Sequence, residues 1–552
     1  MTCKRTPRAH VLSIVSLLIT TLAILIALVA PAQLAGGGQR SAKPTFATTP
    51  RDANPSLFLP VVTYDPGGQS FSVAIADLNG DGKPDLVVTN AGLAEGVIGV
   101  LLGKGDGTFL PVVTYNSGGD FAYSVVVADV NGDGKPDLLV ADCGPIGINV
   151  CNHSNGLVGV LLGNGDGTFQ PVVTYDSGGS TTVSIAVADV NADGKPDVLL
   201  ANECGNSSTC ADGSVGVLLG NGDGTFQKAT TYDTKYDIDS VAVADVNGDG
   251  KLDLLVASSG NSRVGVLLGN GDGTFQPIVI YDSGGISSLS VAVADVNGDG
   301  KPDLLVANRC DTSGNCAHGS VSVLLGNGDG TFQTAVSYDP GGTGAQSVAV
   351  ADVNGDGKPD LVVAIFYYNT VAVLLGNGDG TFQAATTYGS GGNSPTSVAV
   401  ADLNGDGLLD VAVANFCGGS GCLPGKLGVL LNNTADTTPP VITLSATPKI
   451  LWPPNGKMVP VTVSGTITDT GSGVNANSAA YSVKDEYGEV QPMGAITLGP
   501  GGNYSFTILL QASRRGTDLD GRRYTVTVQV KDNAGNVGSK TSAVIVPHDQ
   551  GD

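Results

Sequence analysis

Between Ser56 and Asn433 the chain repeats one pattern of apolar and polar positions seven times. One copy, Ser290 to Tyr338, reads SVAVADVNGDGKPDLLVANRCDTSGNCAHGSVSVLLGNGDGTFQTAVSY. Four short strands are expected in it: SVAVAD, which alternates small and branched residues, then DLLVAN, VSVLLG and TFQTAVSY. The acidic stretch joins the first two as a hairpin, and Asn-Gly-Asp-Gly, a strong tight-turn signal, joins the last two. Four antiparallel strands per repeat of about 50 residues predict a propeller blade.

The ends of the array favour a closed ring over an open solenoid. The seventh copy stops after LGVLLNN at Asn433 and lacks its GDGTF strand, while SLFLPVVTY from Ser56 to Tyr64 reads as an orphan fourth strand. The expected fold class is therefore all-β: a seven-bladed β-propeller over 56–433, four antiparallel strands per blade, its ring closed by the N-terminal strand. A linker at 434–440 ends in Pro439-Pro440. From 441 to 547, alternating segments such as VITLSA, VTVSGTIT and YTVTVQVKD predict a small antiparallel β-sandwich, with a tail at 548–552.

Strand order sorts the loops by face. The acidic loops and the GDGTF turns share one face. Four close cysteine pairs share the other: Cys143 with Cys151, Cys204 with Cys210, Cys310 with Cys316, and Cys417 with Cys422. Local even pairing fits disulfides in an oxidising compartment; zinc competes poorly, with only four histidines in the chain.

The acidic loops carry the chemistry. They contain Asp77, Asn79, Asp81, Lys83 and Asp85; Asp129, Asn131, Asp133, Lys135 and Asp137; Asp189, Asn191, Asp193, Lys195 and Asp197; Asp245, Asn247, Asp249, Lys251 and Asp253; Asp295, Asn297, Asp299, Lys301 and Asp303; Asp352, Asn354, Asp356, Lys358 and Asp360; Asp402, Asn404, Asp406, Leu408 and Asp410. Side-chain oxygens at positions one, three, five and nine, with the position-seven carbonyl, form a hard oxygen set suited to Ca²⁺. Leu408 is harmless if only that carbonyl binds. The spacing resembles the first half of an EF-hand loop, but the flanks are strands and the position-twelve glutamate is missing. Asn-Gly-Asp-Gly is also good turn chemistry in its own right, yet a turn needs no third aspartate. Three carboxylates about 5 Å apart repel by roughly 3 kcal/mol per pair at an effective dielectric of about 20. About seven structural calcium ions are expected. The turns at Asp106, Asp166, Asp223, Asp272, Asp329 and Asp379 read as structural.

These residues resemble the FG-GAP or VCBS-type repeat, the blade unit of the integrin α-chain propeller. VADVNGDGKPDLLVAN followed by VLLGNGDGTF carries the resemblance, which covers about Ser56 to Asn433. It implies a seven-bladed propeller with calcium in the first hairpin of a blade. Integrin propellers have fewer such loops, and adhesion of their type does not carry over. The C-terminal segment looks like a bacterial immunoglobulin-like module.

Composition narrows the function. A net charge of −24 excludes nucleic acid as a partner. Lys4, Arg5 and Arg8 precede an apolar run, Val11 to Val29, and Ala30-Pro31-Ala32: a signal peptide over 1–32, or an uncleaved membrane anchor, before a linker at 33–55. Either places the rest in a secreted or cell-surface location, with no other membrane contact. The expected function is non-catalytic binding or adhesion, calcium being structural and an extracellular protein or glycan meeting the cysteine-bearing face. A polysaccharide lyase or hydrolase, or a purely structural surface protein, is the alternative. Phe366-Tyr367-Tyr368 either stacks on sugars or packs internally, and Trp452 reads as packing. His153 and His318 lie in variable loops without a recognisable catalytic partner, so no enzyme is expected.

Overall fold

A computed structural model describes residues 57–91, 96–144, 155–205, 212–260, 262–313, 316–419, 424–433, 439–469, 474–532 and 536–548. The N-terminal segment expected as signal peptide or anchor lies outside them. Among the described residues, no helix is long and apolar enough to cross a membrane.

The repeats fold into antiparallel sheets. In unit five, counting by acidic loop, the strands are Ile286–Ala294, Asp303–Cys310, Ser320–Leu324 and Val336–Tyr338, paired in sequence order. Five units form separate four-stranded sheets. Units two and three instead share one seven-stranded sheet, because a single strand, Val173–Ala188, runs from the end of one into the start of the next. The expected four strands per unit are thus joined there. The segment Val62–Tyr64 pairs antiparallel with Lys426–Leu430 of unit seven, Val62 opposite Val429 and Tyr64 opposite Leu427.

Burial within a unit follows the apolar pattern. The second strand is buried along nearly its whole length, as DLLVAN demands, because another sheet covers each of its faces. The fourth strand is the exposed edge: Val113, Val173 and Val336 stand about half exposed. Cores form between units rather than within them. Leu305, Val321 and Val323 of unit five pack with Leu361, Val363 and Phe382 of unit six. Leu86, Val88 and Phe109 of unit one pack with Leu403, Leu427 and Val429 of unit seven.

Aromatic pairs mark the same junctions. A tyrosine on the fourth strand of one unit meets the GDGTF phenylalanine of the next, edge to face, as in Tyr115–Phe169, Tyr175–Phe226, Tyr232–Phe275, Tyr281–Phe332 and Tyr338–Phe382, at 5.4–5.6 Å between centroids. Unit seven has no GDGTF phenylalanine, and Phe58 takes its place against Tyr388 at 5.1 Å. Tyr64 meets Phe109 of unit one at 5.3 Å.

The second strand also carries a buried polar position. Asn90, Asn202, Asn308 and Asn415 donate their amides to the backbone carbonyls of Pro66, Ser177, Ser283 and Ser390. Unit two has Asp142 instead, fully buried and accepting from Ser117 Oγ and the Phe121 and Cys143 backbone. Burial pushes its carboxyl up to about 6. A raised carboxyl pKa gives stability that is present below the unfolded value near 4 and lost as pH rises through 6. Asp142→Asn should abolish that loss, raising stability at pH 8 by about 2–3 kcal/mol relative to wild type, with little effect near pH 4. Melting curves across that range check it; parallel curves for both proteins would refute it.

The C-terminal residues form two four-stranded sheets. Met458–Thr468 pairs with Val441–Ile442, Ser445–Thr447 and Asn503–Gln511; in the second sheet Met493–Ala495, Val474–Asp485, Arg522–Asp532 and Val537–Val546 pair in that order. They enclose one core that includes Val461, Val463, Ile508, Tyr524, Val526 and Val544. Arg522, fully buried, is held by the Asp485 carboxylate.

Candidate functional site

Each acidic loop is a hairpin turn folded around its first aspartate. In unit five, Asp295 Oδ1 accepts from Gly298 N at 2.7 Å and Asp299 N at 3.2 Å, and Oδ2 accepts from Gly300 N at 2.7 Å. Asn297 Oδ1 accepts from Asp299 N, and Asp299 Oδ1 from Lys301 N. Positive φ values of 74° and 80° at Gly298 and Gly300 make these bonds possible. The pattern recurs in the other loops, for example at Asp77, Asp129, Asp352 and Asp402. In unit three Ala192 takes a φ of 58° where the other loops have glycine.

The residue at position two is a buried anchor: Leu78, Val130, Val190, Val246, Val296, Val353 and Leu403 are all at most 3% exposed. The aspartate at position nine does more than close the loop. Asp85, Asp137, Asp197, Asp253, Asp303, Asp360 and Asp410 are fully buried. Each accepts the position-two N–H on one oxygen and a backbone N–H at the end of the third strand on the other. For Asp303 these are Val296 N at 3.0 Å and Gly326 N at 2.7 Å. Burial, and then the like charges at positions five and one, push these carboxyls up, to about 6 for Asp360 and about 7 for Asp410. The backbone donors at both oxygens pull the other way.

The lysine at position seven contributes more than its carbonyl. Its ammonium lies 3.3–3.9 Å from the position-five carboxylate in six loops. Half-exposed pairs of this kind contribute little to stability. Leu408 has no such charge, and Asn404 Nδ2 donates to Asp406 Oδ2 at 2.9 Å instead. Among the described residues, no three His, Cys, Asp or Glu side chains converge in the manner of a preformed metal site. The donors still suit a hard cation in kind. They are oxygens, and the carboxylates at one and five act electrostatically on the one at nine. Carboxylate oxygens holding one N–H keep further acceptor capacity.

The GDGTF turns prove to be latches between units. Within each turn the aspartate accepts from threonine, as Asp329 does from Thr331 N and Oγ1, which holds its carboxyl below the usual range. The following glycine N–H then donates to the position-two carbonyl of the preceding unit: Gly167 to Leu78, Gly224 to Val130, Gly273 to Val190, Gly330 to Val246 and Gly380 to Val296, at 3.1–3.3 Å. Gly107 of unit one donates to Leu403 of unit seven. Unit seven lacks the turn, and Asn432 Nδ2 supplies the bond to Val353 O at 2.7 Å. A side chain on Gly224 would strike Leu162 at 2.8 Å. Spacing alone did not show these contacts; the loss of GDGTF from unit seven and Asn432, standing where the other units have glycine, were the available signals.

A profile of the FG-GAP-like repeat matches residues 77–140, 148–200, 207–256, 245–306, 312–363 and 352–413, and one of the FG-GAP repeat matches 289–324. The chain belongs to the FG-GAP-like repeat family. No curated protein matches this FG-GAP repeat chain in sequence. Solved structures similar to it include a periplasmic gluconolactonase, PpgL, from Pseudomonas aeruginosa, at 18% identity and a TM-score of 0.41, covering 61% of this chain and 93% of that one. A catalytically inactive virginiamycin B lyase from Staphylococcus aureus with quinupristin aligns at 12% identity and a TM-score of 0.40, covering 67% and 98%. The V. cholerae biofilm matrix protein Bap1 aligns at 13% identity and a TM-score of 0.32, covering 66% and 88%.

On the face away from the acidic loops, Cys310 and Cys316 form a disulfide. Cys143, Cys204 and Cys417 are also disulfide-bonded; their expected partners Cys151, Cys210 and Cys422 lie outside the described residues, as does His153. His318 Nδ1 stands 3.7 Å from Asp339 Oδ2, both side chains more than half exposed. Of the aromatic run, Tyr367 and Tyr368 are 47% and 56% exposed, so they are surface rather than core residues. Trp452 is 41% exposed.

Proposed function

We propose that this FG-GAP repeat protein is a secreted or cell-surface, non-catalytic binding protein whose repeats form a closed seven-bladed propeller braced by calcium. Ring closure is supported by Phe58, Tyr64 and Asn432, which supply to units one, six and seven the contacts that GDGTF turns and fourth strands make elsewhere. Calcium would be held by the side chains at positions one, three and five, the carbonyl at seven and the carboxylate at nine. Bound there, it would neutralise carboxylates that otherwise repel one another. The C-terminal residues would serve as an immunoglobulin-like spacer or second binder.

One observation carries the binding reading: the repeated carboxylates are engaged within their own units on one face, where neighbouring units also latch onto the acidic loops, while the loops that vary between units lie on the other. There the histidine–aspartate pair His318–Asp339 is open to solvent, and the adjacent Cys310 and Cys316 are tied in a disulfide. The test is an array of extracellular proteins and glycans probed with calcium and with chelator. Calcium-dependent binding without turnover is expected; turnover of any polysaccharide would overturn the reading.

A further inference from the structure

Unit six carries an aromatic run where its second strand turns into its third. Units two, three, five and seven carry a cysteine pair there; unit six, like units one and four, does not, and its turn is Phe366-Tyr367-Tyr368-Asn369. That turn is tied to its neighbours. Phe366 N donates to Gly344 O and Tyr367 N to Thr343 O, in the loop between units five and six. Gly344 N in turn donates to Arg309 O, beside the Cys310–Cys316 disulfide, and Thr343 Oγ1 donates to Ala317 O at 2.7 Å.

The tyrosine rings lie on glycine backbone. A Cβ on Gly342 would come within 3.0 Å of the Tyr368 ring, and one on Gly344 within 2.7 Å of Tyr367. The rings are thus packed from below yet about half open above. The Arg309 guanidinium lies 5.3 Å from the Tyr367 ring centroid and donates to its hydroxyl. Among the described residues, no carboxylate lies within ion-pair distance of Arg309. His318 and Asp339, from two of the three loops, bring further planar polar groups to the same loop cluster.

We infer that this cluster is a carbohydrate subsite that takes a neutral pyranose ring. The assignment rests on the binding-protein reading above and names its ligand class. An open, rigidly held tyrosine face suits the C–H face of a sugar, which is flat and apolar. Arginine at the ring, with histidine and aspartate in the same loop cluster, offers donors and acceptors to ring hydroxyls. A net charge of −24 works against polyanionic chains, so a neutral glycan fits better than a uronate polymer or a nucleic acid.

Affinity electrophoresis of the full chain through gels containing dextran, mixed-linkage β-glucan or galactomannan tests this, with polygalacturonate as the anionic arm. Retardation by at least one neutral polysaccharide is expected, reduced at least tenfold in affinity in Tyr367→Ala/Tyr368→Ala and unchanged in Trp452→Ala. An unchanged melting temperature in the double variant would show that the loss is not unfolding. Arg309→Lys, which keeps the charge but not the planar fork, should weaken binding several-fold. Retardation by polygalacturonate alone, by no polysaccharide, or equally in wild type and double variant would overturn the subsite. Loss of binding on chelation with no effect of the tyrosine variants would do the same while leaving the binding-protein reading intact.

Discussion

Chelating calcium should lower the melting temperature of the repeat region by roughly 20 °C and release close to seven ions. With free calcium a hundredfold above its dissociation constant, each occupied loop adds about 2.7 kcal/mol to stability. Seven such loops would add more than the 5–15 kcal/mol or so by which an ordinary domain is stable. The effect should be cooperative, because every acidic loop also accepts a bond from a neighbouring unit, as Val246 O does from Gly330 N. Releasing one ion would therefore loosen a junction as well as a loop. Calorimetry in millimolar calcium and in EDTA, with elemental counting of bound metal, gives both numbers. Fewer than four ions per chain, or a melting temperature indifferent to EDTA, would remove calcium from the proposal.

Asp303→Ala should destabilise the protein by about 2–6 kcal/mol, even in chelator. The substitution strands two buried backbone donors, Val296 N and Gly326 N, each costing about 1–3 kcal/mol when left unpaired. Asp299→Asn, at half-exposed position five, should cost under about 1 kcal/mol in chelator, since it removes only a half-exposed ion pair with Lys301. In calcium both variants should cost more, because each then also loses a charged ligand. Urea unfolding of both variants, with and without EDTA, checks this. Equal stability of Asp303→Ala and wild type in EDTA would mean that the position-nine carboxylate serves only the metal.

The contrast between Asp299 and Asp303 shows how much of the site could be read from the chain. Both belong to the same acidic pattern and looked equivalent as oxygen ligands. Residue type and spacing reveal which atoms are available, but not which backbone groups arrive to claim them. Gly326 reaches Asp303 only when the third strand has paired, 23 residues along the chain. The Lys301 ammonium was likewise invisible as a counter-charge, because a carbonyl role needs no side chain. Tyr367 and Tyr368 were ambiguous for a similar reason: an aromatic run has the same signature whether buried or exposed, and the glycine floor from Gly342 to Gly344 decided it.

The sequence by itself determined what is local. Alternation in SVAVAD, the apolar DLLVAN run and the Asn-Gly-Asp-Gly turns specify strands, hairpins and the sorting of loops to two faces, because each depends on neighbours only a few residues away. Even the role of the N-terminal strand was legible, since the seventh copy lacks the strand that Val62–Tyr64 replaces. Only the tertiary structure decided what meets across the junctions: tyrosine on the phenylalanine of the next unit, turn glycine on the preceding acidic loop, Asn432 and Phe58 standing in where a unit is incomplete. Those partners lie far apart in the chain, and periodicity records which way a side chain faces, never what comes to face it.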